Sequence, residues 1–202
     1  MVSTLALPTL ERRAVRLAWA TIAWNVVEAV VAIAAGTAAS SIALVGFGLD
    51  STVEVMSALV IVWQLRGLSH ARERRALRLI AVSFYVLALY VSVQAIIDLL
   101  GTSAASGSPV GIGLAVASLV VMPVLAHAKR RNGRLLGSPT VVADSNQTSL
   151  CAYLSAILLG GLALNATVGW WWADPIAALA IAVLAANEGR QAWRGETCDD
   201  CC

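Results

Sequence analysis

The chain has 202 residues, of which 59% are hydrophobic and 13% are charged, with a formal net charge of +2. Its mean hydropathy of +0.78 is typical of a membrane protein and excludes an ordinary soluble domain. The length leaves room for one domain, expected over residues 1–195, with a short tail at 196–202. Because the basic residues are spread over separate loops, the charge gives no support for a nucleic-acid partner.

Six apolar stretches are each long enough to cross a hydrocarbon core of roughly 30 Å as a helix. They lie near residues 14–35, 41–64, 76–100, 109–128, 140–164 and 171–190. The first follows Glu11, Arg12 and Arg13, and it is too long for a cleaved signal peptide, so we expect it to be retained. The sequence therefore predicts an all-α membrane protein with six transmembrane helices in the lipid bilayer.

The basic residues distinguish the two sides of the membrane. Every Lys and Arg lies in the N-terminal segment, in the second-to-third connection around Arg66–Arg75, in the fourth-to-fifth connection at Lys129–Arg134, or near the C-terminus. Under the positive-inside rule, six spans then place both termini in the cytoplasm. The preference for arginine and alanine favours a bacterial inner membrane.

Two pairs of polar residues lie near the middle of predicted helices two and five. Asp50 and Glu54, like Gln147 and Cys151, are spaced i, i+4, so each pair faces one side of its helix. An acid at the centre of a membrane helix costs roughly 2.5–3.5 kcal/mol and usually marks an ion pathway. Since the two helices are antiparallel, we expect Asp50 level with Cys151 and Glu54 level with Gln147. Four ligands around one point suit a zinc-like ion; the alternative is two hydrogen-bonded pairs that only hold the bundle together.

Other polar residues have two interpretations each. Glu28, with Asn25 one turn before it, is expected to relay protons or to act as an accessory ligand; alternatively it is a protonated structural residue. Asp144 either collects incoming metal or is an interfacial acid with access to water. Asp98 and Asp174, at the outer helix ends, are expected to be solvated or to cap helices.

The C-terminal tail has an unusual composition of thiols and carboxylates within five residues. Its members are Cys198, Asp199, Asp200, Cys201 and Cys202. They are expected to contact a soft divalent ion, or else to form a disordered extension. On the cytoplasmic side the cysteines should remain thiols. His70, among arginines in a loop, is expected to be an ordinary loop residue.

Two segments carry a family resemblance. Gly46–Glu54 with Met56–Leu59 resembles the second helix of the cation diffusion facilitator family, and Ala143–Cys151 with Trp172–Pro175 resembles its fifth and sixth helices. The resemblance implies a secondary transporter, not an enzyme, that exports divalent metals such as zinc, manganese, iron, cobalt or cadmium in exchange for protons, as a homodimer. The transport-site positions of the family fall on Asp50, Glu54, Gln147 and Cys151.

The sequence departs from the family pattern in two ways. Gln147 and Cys151 stand where an acidic or histidine pair is usual, and a thiolate favours zinc, cadmium or cobalt. The cytoplasmic C-terminal domain of the family is not recognised, which suggests a short form of the family. A dimer would then form through membrane helices, and helices three and six are the expected surface because neither is expected to bring a mid-membrane acid.

The function predicted from the sequence is export of a divalent metal, zinc above all, driven by proton entry. No resident cofactor is expected, and no nucleotide-binding loop is found in the sequence. Two alternatives remain open. One is a proton or monovalent-cation pathway through Glu28, Asp50 and Glu54. The other is a non-transporting membrane sensor or buffer that binds metal through the cysteine tail.

Overall fold

The computed structural model describes residues 7–64, 70–101, 106 and 108–194. Within these residues the chain forms six α-helices and no strands. The helices are α1 (Leu7–Ala39), α2 (Ile42–Gln64), α3 (His70–Leu100), α4 (Pro109–Leu136), α5 (Pro139–Val168) and α6 (Ala173–Arg194). The predicted all-α architecture is confirmed.

Several helices extend beyond their apolar centres. The run Lys129–Arg134 was expected in a connection but forms the last turns of α4, and Arg72–Arg78 lies in the first turns of α3. Assigning these residues to loops was wrong, because arginine and lysine are good helix formers and a continued helix keeps the backbone hydrogen-bonded. The helices therefore carry their basic residues on rigid ends.

Local signals in the sequence set the boundaries of α4 and α5. Ser108 and Ser138 precede a proline and accept hydrogen bonds from the backbone nitrogens of Gly111 and Val141. A serine N-cap followed by proline is a favoured helix start. Both helices end at a glycine in the left-handed region, Gly137 with φ 64° and Gly169 with φ 71°, where a side chain would be strained.

Five of the described helices, α1 to α5, contain segments long and apolar enough to cross a membrane by length and composition. Helix α6 carries Asp174, Glu188 and Arg190 and is less apolar, but its 22 residues reach about 33 Å. It packs against α2, α3 and α5. The charged residues of α6 therefore lie within the bundle or at the ends of the helix. In the middle of a helix that faces lipid they would be strongly disfavoured.

Helix α2 occupies the centre of the bundle. It contacts α1, α3, α5 and α6, while α4 packs against α1 and α5, and α3 packs along α6. Leu44 and Phe47 of α2 and Leu158 of α5 are fully buried in the shared core. Any polar side chain on the inner faces of α2 therefore meets protein on all sides.

Asp174, in the first turn of α6, caps the beginning of α2. Its carboxylate accepts hydrogen bonds from the hydroxyl of Ser41 and, at 3.3 Å, from the backbone nitrogen of Ala43. A carboxylate at a helix N-terminus satisfies free N–H groups and faces the positive end of the dipole. The capping interpretation of Asp174 is confirmed, for α2 and not for its own helix. The solvated alternative is wrong, since Asp174 is buried.

Helices α1 and α2 approach closely where small residues face each other. A Cβ atom built on Gly36 would lie 2.8 Å from the backbone nitrogen of Val45, so the absent side chain lets the two backbones pack together. Small residues at helix contacts are a common device of membrane proteins, where close packing drives helix association.

The first prediction concerns this contact. Gly36→Ala should lower the free energy of unfolding by about 1–3 kcal/mol, the usual cost of forcing extra volume into a packed core. Thermal unfolding of the purified protein in detergent measures the effect. Gly113→Ala is the matched control, because no described atom lies within 4 Å of the Cβ it would add. Equal stability of both variants would contradict the proposed close contact.

Candidate functional site

A cavity lies between α2, α3, α5 and α6. The residues that line it are Asp50, Glu54, Phe84, Gln147, Leu150, Cys151, Leu154, Leu184, Ala185 and Glu188. The four residues that the sequence paired across α2 and α5 are all among them. The cavity is small, with room for about one water molecule or one bare ion.

The side chains line this cavity, but their potential ligand atoms do not converge on one point. Among the residues that the structure describes, no three His, Cys, Asp or Glu side chains come close enough together to hold a metal ion. The expectation of four ligands gathered around one point therefore differs from the observed arrangement. Two carboxylates on one helix face repel each other, which favours separated positions. Ligation would require side-chain rotation within the cavity.

Glu54 has one engaged and one free carboxylate oxygen. Its Oε1 accepts a hydrogen bond from the hydroxyl of Thr148 at 2.9 Å, whereas its Oε2 is buried without a hydrogen-bond partner. A buried, unpartnered carboxylate oxygen is uncommon and calls for a specific explanation. Since Glu54 is only 2% exposed and borders the cavity, this oxygen is available to a bound cation.

Thr148 links Glu54 to a buried ion pair. The ammonium of Lys129 donates to the Thr148 hydroxyl at 2.9 Å and lies 2.8 Å from Oδ2 of Asp144. Lys129 is 1% exposed, so this cation lies in the core between α4 and α5. Asp144 is buried and paired, which contradicts its interpretation as an acid with access to water, and its expected role in collecting metal stays a prediction.

Gln147 is held by α2. The hydroxyl of Ser57 donates to its Oε1 at 2.7 Å, while its Nε2 has no partner. The oxygen and nitrogen of an amide exchange places by a half-turn, after which Ser57 would accept from Nε2 and leave Oε1 free. In the observed arrangement the amide oxygen that could ligate a metal already accepts one hydrogen bond.

Glu28 and Asn25 form a second buried polar group beside the cavity. Ser51 donates to Oε2 of Glu28 at 2.9 Å, and the sulfur of Cys151 lies 3.8 Å from the same oxygen. Oε1 of Glu28 and both amide atoms of Asn25 are buried without partners. Cys151 therefore lies between the cavity and Glu28, while the accessory roles expected for Glu28 and Asn25 stay predictions.

Sequence reasoning missed two residues of this region. Glu188 of α6 lines the cavity and was not among the residues expected at the site. Lys129 was grouped with the basic residues that orient the chain. The sequence did contain one signal for Lys129. It has one lysine and thirteen arginines, and a single lysine among arginines indicates a position that needs a compact ammonium group and not a guanidinium group.

The expected metal contact of the tail and the expected loop position of His70 have different outcomes. The tail residues Cys198 to Cys202 lie outside the described residues. His70 begins α3 and so does not lie in a loop, although its side chain is outside the described part. The proposed tail contact with metal accordingly stays a prediction.

The second prediction concerns the ion pair. Lys129→Met leaves the Asp144 carboxylate buried and unpaired, which should cost about 3–5 kcal/mol of stability. The double variant Lys129→Met, Asp144→Asn removes both charges and should recover most of that loss. Thermal unfolding in detergent compares the two. A single variant as stable as the original chain would show that the pair is exposed to water.

Comparison with known proteins agrees with this geometry. The model of the cation efflux transmembrane domain matches residues 76–194, more than half of the chain. A search of curated proteins gives the uncharacterized transporter sll1263 of Synechocystis sp., which is 28% identical over 152 residues. That match covers 70% of this chain and 49% of the relative, so the chain spans about half the length of the curated relative it matches. The match over more than half of the chain shows that this integral membrane protein belongs to the cation efflux, or cation diffusion facilitator, family.

Proposed function

We propose that the chain exports divalent metal ions, zinc-like ions above all, in exchange for protons. One observation carries the proposal: Asp50, Glu54, Gln147 and Cys151 line a single cavity, and its α5 side belongs to the residues that match the cation efflux domain. A carboxylate-rich cavity surrounded by apolar helices is a place where a cation is stabilised and an anion is not.

The donor atoms favour a borderline metal. Asp50 and Glu54 supply oxygen, and Cys151 supplies sulfur. Zinc, cobalt and cadmium accept mixed oxygen and sulfur ligands, whereas magnesium and calcium prefer oxygen alone. Tetrahedral zinc needs four ligands, and after small rotations the side chains around this cavity can supply that number.

Proton exchange follows from the same ligands. A carboxyl group and a thiol must lose their protons before they bind a metal, so loading Asp50, Glu54 and Cys151 releases protons to the side from which the metal arrives. When the cavity faces the other side, protons displace the metal. Such a cycle uses a proton gradient and needs no covalent step, which fits a secondary transporter.

A homodimer is part of this proposal. The family resemblance implies it, and α3 presents a wide apolar face to the outside through Val86, Leu89 and Val93. Helix α6, the other expected surface, exposes Ile176 and Val183.

The third prediction tests the acids of α2. Asp50→Asn and Glu54→Gln keep side-chain shape but remove the charge, so zinc transport should fall by at least about 10–100-fold, the range seen even for residues that only support a ligand. Zinc uptake into proteoliposomes, with a pH-sensitive dye in the lumen, reports metal and proton movement together. Glu11→Gln, an exposed acid of α1, is the control. Normal transport in either site variant would exclude the proposed site.

The fourth prediction tests Cys151. Cys151→Asp exchanges a soft ligand for a hard one, so the ratio of manganese to cadmium transport should rise by about tenfold or more. Cys151→Ala should lose cadmium transport more than manganese transport. Competition between the two metals in proteoliposomes measures the ratio. An identical ranking in all three proteins would limit Cys151 to packing.

A further inference from the structure

The weakest of the four candidate ligands is Gln147. Its amide is neutral, and its oxygen already accepts a hydrogen bond from Ser57 at 2.7 Å. That hydrogen bond uses one of the two lone pairs of the oxygen and holds the amide toward Ser57. A zinc-like ion in a dry cavity gains more from a charged oxygen ligand than from a neutral amide. The site would therefore be better completed by another acid, if one is within reach.

Glu188 meets this requirement by position. It lines the same cavity as Asp50, Glu54 and Cys151. Leu184 and Ala185, one turn before it on α6, line the cavity as well. Glu188 therefore belongs to the face of α6 that is turned toward the site.

The neighbouring glycine sets this orientation. A Cβ on Gly189 would lie 3.2 Å from both the backbone oxygen of Ala81 and the Cβ of Phe84. Gly189 thus packs against the backbone of α3, which fixes the rotation of α6 at this level. Glu188, adjacent on the helix, is held beside the cavity and not turned away into the lipid.

Glu188 is partly exposed, unlike Asp50 and Glu54, which are buried. Within the described part of the chain it has no ion-pair partner, in contrast to Asp144, whose carboxylate pairs with Lys129 at 2.8 Å. Oε2 of Glu54, by contrast, is buried without a hydrogen-bond partner. Both carboxylates line one cavity, and a cation bound there would be stabilised by both.

We propose that, after side-chain rotation within the cavity, Glu188 of α6 becomes the fourth ligand of the transported metal, together with Asp50, Glu54 and Cys151, in place of Gln147. The proposal rests on the proposed function and deepens it, because it assigns three carboxylates and one sulfur to the divalent substrate. Gln147 then serves to position the α2–α5 contact through Ser57. Binding also ties α6 to α2 and α5, so the metal bridges three helices and not two.

The experiment measures zinc binding to the purified full chain in detergent by isothermal titration calorimetry at one pH. Glu188→Gln should weaken binding about tenfold or more, Glu188→Asp should recover part of the loss, and Gln147→Ala should weaken binding less than Glu188→Gln does. Asp98→Asn is the matched control, since it removes an acid from the outer end of α3 and should bind zinc as the original chain does. Circular dichroism and thermal unfolding verify that each variant is folded.

Cobalt(II) absorption provides a second readout that a purely structural role would not change. At saturating cobalt, loss of a ligand alters the visible spectrum of the bound ion, so Glu188→Gln should shift the spectrum while Gln147→Ala leaves the band positions in place. The opposite pattern in either assay would overturn the assignment in favour of Gln147. If the original chain binds neither zinc nor cobalt, the proposed function itself fails. If it binds both and Glu188→Gln changes neither affinity nor spectrum, only the role of Glu188 is overturned.

Discussion

The burial of several acidic side chains in one helical core is the constraint on which the rest of this structure depends. Asp50, Glu54 and Glu28 lie where water is scarce, and an uncompensated charge there costs far more than a surface charge. Tight helix packing excludes water from these side chains. The same packing must also supply the groups that stabilise their charges. Hydroxyls, one lysine and helix-terminal amides serve that purpose.

The acids differ in how completely they are compensated. Asp174 is paired with Ser41 and the first amides of α2, and Asp144 is paired with Lys129. Glu54 has one oxygen satisfied by Thr148 and one without a partner. Asp144 and Glu28 also keep one oxygen each without a partner. Glu54 differs from these two acids by its position, because it lines the cavity and they do not. An unpartnered oxygen together with a place on the cavity thus marks a group that remains available to a ligand.

Much of this arrangement is encoded in local patterns. Apolar length predicted all six helices, the serine–proline and glycine signals fit the ends of α4 and α5, and the i, i+4 spacing of Asp50 and Glu54 put both on one face of α2. Contacts that depend on the relative rotation of distant helices could not be predicted. Glu188 stands near the end of α6, where an acid normally meets water, and only the packing of Gly189 on α3 turns it inward. Lys129 stands in a basic run, and only the approach of α5 buries it.

The cap that Asp174 places on α2 has a mechanical consequence. It joins α6 and α2 at their outer ends through Ser41 and Ala43, whereas Glu188 lies far along α6 from that joint. Two helices that are joined at one end can separate at the other end only by tilting about that joint. The distance along α6 from Asp174 to Glu188 is about 21 Å, so a turn of about 10° would carry Glu188 roughly 4 Å. That displacement exceeds the length of a zinc–oxygen bond, about 2 Å. A small rocking of α6 about its outer end is therefore sufficient to make or break contact across the cavity.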